Sequence, residues 1–239
     1  MGESRIQLCG KVTVELDGRR VEQDLPGRQG RLLFVYLVAN RLRPVNRDEV
    51  VVALWPDGRD GGLSPLLSKL RRLVELEGRG ELRVVLPDDV WIDLEAANEG
   101  LHRAESAAAR ADWTAVWAPA RVAQHVARRG FLAGEEAAWI NELRRRLDGI
   151  HVRSLELVAE ASVRIGGAEL DTAERAAREL VEREPFRESG QRALMRVLAA
   201  RGNRAEALQI YEQLRALLRD ELGTSPSQAT QELHRALLT

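Results

Sequence analysis

The chain has 239 residues, 44% of them apolar and 31% charged, and its 36 Lys and Arg nearly cancel its 37 Asp and Glu, for a formal net charge of −1. That length suits one large or two ordinary domains, the apolar content excludes a disordered chain, and the longest apolar run, Leu32 to Ala39, is far too short to cross a bilayer. Near-neutral charge gives no global support for nucleic-acid binding, so such a function has to rest on a local patch.

The single cysteine, Cys9, cannot form an internal disulfide, and the start Met1-Gly2-Glu3-Ser4-Arg5 lacks the apolar stretch of a secretory signal. A reducing cytoplasm and no membrane partner are the expectation. Val12, Val14 and Leu16 alternate with Thr13 and Glu15, and Asp17-Gly18 then supplies hairpin turn residues before Arg19-Arg20-Val21. A small antiparallel sheet follows from this pattern. Arg31 to Arg41 reads as a largely buried helix, closed by Asn40 and the Arg43-Pro44 step. A second helix starts at Asn46, a capping residue followed three positions later by Glu49, and runs to Trp55-Pro56. After the turn Asp57 to Gly62, a third helix begins at Ser64-Pro65, with Ser as cap and Pro in the first turn. Leu82, Val84 and Leu86, then Pro87-Asp88-Asp89, then Val90, Ile92 and Leu94 read as a hairpin with the two aspartates at its tip. Three helices and a hairpin, in that order, are the elements of a winged helix.

From Glu95 onward strand signals disappear, which divides the chain into 1–94 and 95–239. Helix breaks are expected at Ala111-Asp112, Arg129-Gly130, Gly166-Gly167, Glu184-Pro185, Arg201-Gly202 and Leu222-Gly223. A shift of 34 residues places Ala173, Ala176, Ala177 and Leu180 on Ala207, Ile210, Tyr211 and Leu214. Small residues recurring at that period beside a larger apolar one mark tetratricopeptide-like helical hairpins. The expected fold class is therefore mostly α with a small β component: a winged helix-turn-helix followed by a helical repeat domain.

The third helix is the candidate reading element. At 100° per residue Leu66, Leu67, Leu70, Leu73 and Val74 share one arc, Ser64, Ser68 and Arg72 lie opposite, and Lys69 and Arg71 flank them. Ser64, Ser68, Lys69, Arg71 and Arg72 offer donors suited to base edges and phosphates in a major groove, and Arg43, Arg47 and Arg83 add charge for flanking phosphates. A solvated surface face is the bland reading of the same Lys-Leu-Arg-Arg run.

Gly27-Arg28-Gln29-Gly30-Arg31-Leu32-Leu33, Asn46-Arg47-Asp48-Glu49 through Ala53-Leu54-Trp55-Pro56, and Ser68-Lys69-Leu70-Arg71-Arg72-Leu73 resemble segments of the OmpR-type winged helix. Glu184-Pro185-Phe186-Arg187-Glu188, Leu194-Met195 through Gly202, Ala207-Leu208 to Tyr211, and Asp220-Glu221-Leu222-Gly223-Thr224-Ser225-Pro226 extend the resemblance over nearly the whole chain. Together they are similar to the Streptomyces antibiotic regulatory protein family, in which that winged helix precedes a bacterial transcriptional activator domain. The resemblance implies a transcription regulator, usually an activator. It would bind direct-repeat double-stranded promoter DNA and contact RNA polymerase, often at secondary-metabolite genes.

The helical half would serve polymerase contact or homodimer formation, since repeat pairs present extended concave surfaces. A second reading, an interaction or ligand-sensing adaptor whose winged helix has lost DNA affinity, is motivated by Gly61-Gly62 and Pro65 at the third helix and by Asp88-Asp89 at the expected tip. An enzyme is a third. His102, His125, His151 and His234 stand far apart, and no Gly-x-x-x-x-Gly-Lys-Ser/Thr pattern occurs, so no metal, cofactor or ATPase site is expected. Trp113 and Trp117 read as a packed pair four residues apart on a helix, Glu142 to Arg146 as a solvated basic face, and Cys9 as a buried inert thiol.

Overall fold

The computed structural model describes residues 3–55 and 61–239. Contacts divide the chain into two units, Met1–Ala96 with Val126–Asp148, and Ala97–His125 with Gly149–Thr239.

The first unit opens with β1 (Arg5–Gln7), β2 (Thr13–Leu16) and β3 (Arg19–Arg20). Asp17 and Gly18 take φ of 50° and 78°, the left-handed pair that a two-residue hairpin turn requires. Helix α1 (Gly27–Ala39) starts four residues earlier than the sequence pattern indicates, with Pro26 just before it, and buries every side chain from Leu32 to Val38. Strand β4 (Val45–Asn46) leads into α2 (Arg47–Leu54), where the Asn46 side chain accepts a hydrogen bond from the Asp48 N–H, as its capping position predicts. Then come α3 (Leu63–Leu70), β5 (Glu75–Glu77), β6 (Glu81–Val85) and β7 (Trp91–Ile92). The turn expected at Asp57 to Gly62 lies, up to residue 60, outside the described residues.

The hairpin is not where alternation alone puts it. Strand β6 pairs with β5, Leu76 opposite Val84, while β7 leaves for the other sheet and lies parallel to β1, Ile6 opposite Ile92. The sheets are β3-β2-β1-β7 and β4-β6-β5. Either partner satisfies the inward set Leu82 and Val84; the turn decides. Gly78-Arg79-Gly80 gives a tight reversal, with Gly78 at φ 83° and so little room that an added Cβ would sit 1.8 Å from the Glu81 carbonyl oxygen. Asp88 and Asp89 instead lie in an exposed connection between the sheets.

Residues 126–148 complete this unit. Phe131 bridges Cys9 in antiparallel fashion, and the Gly10 N–H donates to the Gly130 carbonyl at 2.8 Å. Asp93 is fully buried and accepts from the N–H groups of Leu8 and Cys9, both at 2.9 Å, and from the Arg129 guanidinium at 3.3 Å. Burial pushes this carboxyl up, against the pull of those donors. Burial likewise pushes the Cys9 thiol well up, and the side chain is fully buried. Arg144 spends its donors on the carbonyls of Phe131, Leu132 and Glu135, and only Arg145 and Arg146 of that run stay at the exposed surface, paired with Glu142.

Helices α4 (Asp93–Ala109), α5 (Trp113–Ala127) and α6 (Ala138–Ile165) contribute residues to both units. The second unit continues with α7 (Leu170–Arg183), α8 (Glu188–Ala200), α9 (Arg204–Leu222) and α10 (Gln228–Leu238). All six expected breaks fall between helices. Ala173, Ala176, Ala177 and Leu180 are buried, as are Ala207, Tyr211 and Leu214 one repeat later. Small residues bring the helices close: a Cβ at Gly190 on α8 would lie 2.9 Å from Leu180 Cγ on α7. Trp113 and Trp117 pack against this core, and His234 stacks on Tyr211 at 3.8 Å between centroids. The motif Glu184 to Glu188 has a structural use. Arg187 and Ser189 hold Glu156 of α6, while Glu188 accepts from the Ser227 N–H at 2.9 Å and from the hydroxyls of Ser227 and Thr230, capping α10 from another helix. Among the described residues no helix is long and apolar enough to cross a membrane.

Candidate nucleic-acid interface

Helix α3 turns Leu63, Leu67 and Leu70 inward and leaves Ser64, Ser68 and Lys69 exposed. Leu66 and Leu73, expected on the apolar arc, are only half-buried. The helix is capped two residues earlier than the Ser-Pro pair implies. Gly62, at φ 111°, is the capping position, and Ser64 does not cap: its hydroxyl accepts from the Arg47 guanidinium at 3.0 Å. Pro65 falls in the first turn, where a missing N–H costs nothing. The helix ends at Leu70, so Arg71 is the closing residue and Arg72 lies beyond it, in a tightened turn whose N–H reaches the Lys69 carbonyl at 3.2 Å.

These residues fall into two groups by what they touch. Arg71 donates to the Gly78 carbonyl at 2.8 Å, tying the end of α3 to the hairpin turn, and Arg47 joins the start of α2 to Ser64. The Arg47 N–H also donates to the Gly80 carbonyl at 3.1 Å, which brings α2, α3 and the turn together. Arg43 is paired with Glu49 at 2.7 Å, and that guanidinium holds the Glu49 carboxyl below its usual range. Ser68, Lys69, Arg72 and Arg83 are exposed and make no side-chain hydrogen bond or ion pair among the described residues. Arg83 sits on β6 opposite Glu77. Arg79, absent from the sequence-derived set, occupies the exposed turn between Gly78 and Gly80; the Gly-x-Gly spacing is the signal that marks it.

Among the described residues no group of His, Cys, Asp and Glu is arranged to hold a metal ion. His151 is buried with Nε2 3.0 Å from Glu179.

Residues 92–238, more than half of the chain, match the bacterial transcriptional activator domain. The chain belongs to that family. Regulatory protein AfsR of Streptomyces coelicolor is 27% identical over 245 residues, an alignment covering 99% of this chain and 24% of AfsR. A structure of Mycobacterium tuberculosis EmbR, in complex with a low-affinity phosphopeptide, superimposes with a TM-score of 0.82 at 22% identity, covering all of this chain and 65% of EmbR. The activator-domain chain described here thus spans about a quarter of its curated relative, and its likeness to EmbR is one of fold.

Proposed function

We propose that this protein is a DNA-binding transcription regulator, an activator of the Streptomyces antibiotic regulatory type, and not an enzyme. Membership of the activator-domain family over residues 92–238 is the observation that carries the reading. Residues 1–94 act as a winged helix in it, with α3 entering a major groove and the β5–β6 hairpin as the wing. Ser68, Lys69 and Arg72 are the reading groups, because they are exposed and uncommitted. Arg47, Ser64 and Arg71 hold α3 against α2 and the hairpin, so their contribution is positioning combined with phosphate contact. Arg43 and Arg83 meet flanking phosphates, and Arg79 reaches the backbone beyond. Asp88 and Asp89 lie away from the hairpin turn, which presents Arg79 between Gly78 and Gly80 and is flanked by exposed Glu77 and Glu81. The helical repeat contacts RNA polymerase or a second copy at the promoter.

Base-reading and phosphate-holding groups respond differently to truncation. Arg72→Ala should weaken binding to the protein's own promoter duplex by about 1–3 kcal/mol and relax base preference at one position. Arg47→Ala should weaken binding to all duplexes alike. Competition titrations against a set of single-base variants of the duplex check both. Unchanged affinity in both variants contradicts the assignment.

A further inference from the structure

The first unit contains an apolar groove of about 520 Å³ that the DNA-binding reading leaves unused. Tyr36 of α1, Val52 and Ala53 of α2, and Trp139 at the start of α6 form its walls, and Asp48 and Glu49 line it from the first turn of α2. Its aromatic walls are rigidly held. The Trp139 indole N–H donates to the Ala53 carbonyl at 3.1 Å, and its ring meets Tyr36 edge-on, 5.1 Å between centroids at 77°. Val52, on the groove, is 62% exposed.

The volume lies within the range of small-molecule sites, which are mostly apolar with a few polar groups that fix orientation. Here the polar side chains are two carboxylates. Glu49 is paired with Arg43, whose guanidinium also reaches the Tyr36 side chain on the groove wall, and Asp48 makes no side-chain hydrogen bond or ion pair among the described residues. Aromatic faces beside carboxylates complement an organic cation, through ring electrostatics and direct charge pairing.

We propose that this groove binds a small organic ammonium compound, its apolar body against Tyr36, Val52 and Trp139 and its cationic group at Asp48 and Glu49. The ammonium group competes with Arg43 for Glu49, so that ion pair opposes binding. This inference is independent of whether α3 reads DNA.

The test uses the full chain and 2-phenylethylamine, with 2-phenylethanol as the uncharged comparator, followed through the indole N–H signals in ¹H–¹⁵N spectra. The Trp139 signal is assigned by its loss in Trp139→Phe. The amine should shift that signal saturably and the alcohol should do so only at much higher concentration. Asp48→Asn or Glu49→Gln should weaken amine binding up to about fivefold, and Arg43→Ala should tighten it by up to a similar factor, as expected for exposed charge pairs. All three substitutions are at the surface, which keeps the fold intact. An equal response to the alcohol overturns the proposal in favour of a plain apolar face for a protein partner or a second copy. A Trp139 signal that the amine does not move, or an Arg43→Ala variant that binds no more tightly, overturns it outright.

Discussion

A fragment ending at Ala96 is expected to remain unfolded under conditions in which the full chain is native. Residues 126–148 supply Phe131, Leu132 and Ile140 to the first unit, each almost fully buried. Burying such side chains contributes ~1.5–3 kcal/mol apiece, so their loss removes roughly 5–9 kcal/mol from a domain whose whole stability is of the order of 5–15 kcal/mol. The same truncation strips the partner of the Cys9 bridge, the Glu135 carboxylate held by Arg28, and the Arg129 guanidinium beside Asp93. Far-UV circular dichroism and a thermal melt of the fragment check this. A cooperative melt close to that of the full chain would contradict it. Since the sequence division at residue 94 leaves these partners in the other half, any fragment meant to test DNA binding should retain them.

Asp93→Ala is expected to destabilise the protein by about 3–5 kcal/mol. The carboxylate is the acceptor for two buried backbone N–H groups, those of Leu8 and Cys9, and the counter-charge of Arg129. Removing it leaves the two buried N–H groups without that acceptor and the partly exposed Arg129 without that counter-charge, and an unsatisfied buried donor costs its full desolvation penalty. Asp93→Asn keeps one acceptor oxygen but turns an amide NH₂ toward donors, so it should recover only part of the loss. Urea denaturation of the three proteins gives the ranking wild type, Asn, Ala. An Ala variant within about 1 kcal/mol of wild type, against the usual cost of an orphaned buried donor, would show that the contact contributes little.

Local features were legible in the sequence where the responsible residues are neighbours. The Asp17-Gly18 turn, the Asn46 cap, the six helix breaks and the 34-residue echo between Ala173 to Leu180 and Ala207 to Leu214 all depend on residues close in the chain, and the structure contains each of them. What failed required knowing a distant partner. Strand alternation assigns Asp93 to the solvent side of a hairpin, yet it is fully buried because Leu8, Cys9 and Arg129 await it. Leu82 and Val84 alternate as expected but pair with β5 and not with the strand that follows them, since a period of two fixes a face and says nothing of the neighbour. At the candidate interface, the exposure of Ser68 and Lys69 follows from helical periodicity, while Arg72 is exposed in the turn beyond the helix end. The engagement of Arg47 with Ser64, and of Arg71 with Gly78, does not, because it depends on how α2, α3 and the hairpin meet. The same holds for Arg144, whose place in a basic run hides its use as a clamp on three carbonyls.

Sequence-specific binding of duplex DNA is best tested by fluorescence anisotropy of the full chain. It would be titrated against labelled duplex from its own upstream region and against a scrambled duplex, each at two salt concentrations. Binding to the native duplex should be tighter and should weaken as salt rises, because phosphate contacts release counterions. Absence of binding to either duplex above the weak non-specific level, even at low salt, would contradict it and leave the helical domain and its partners as the seat of function.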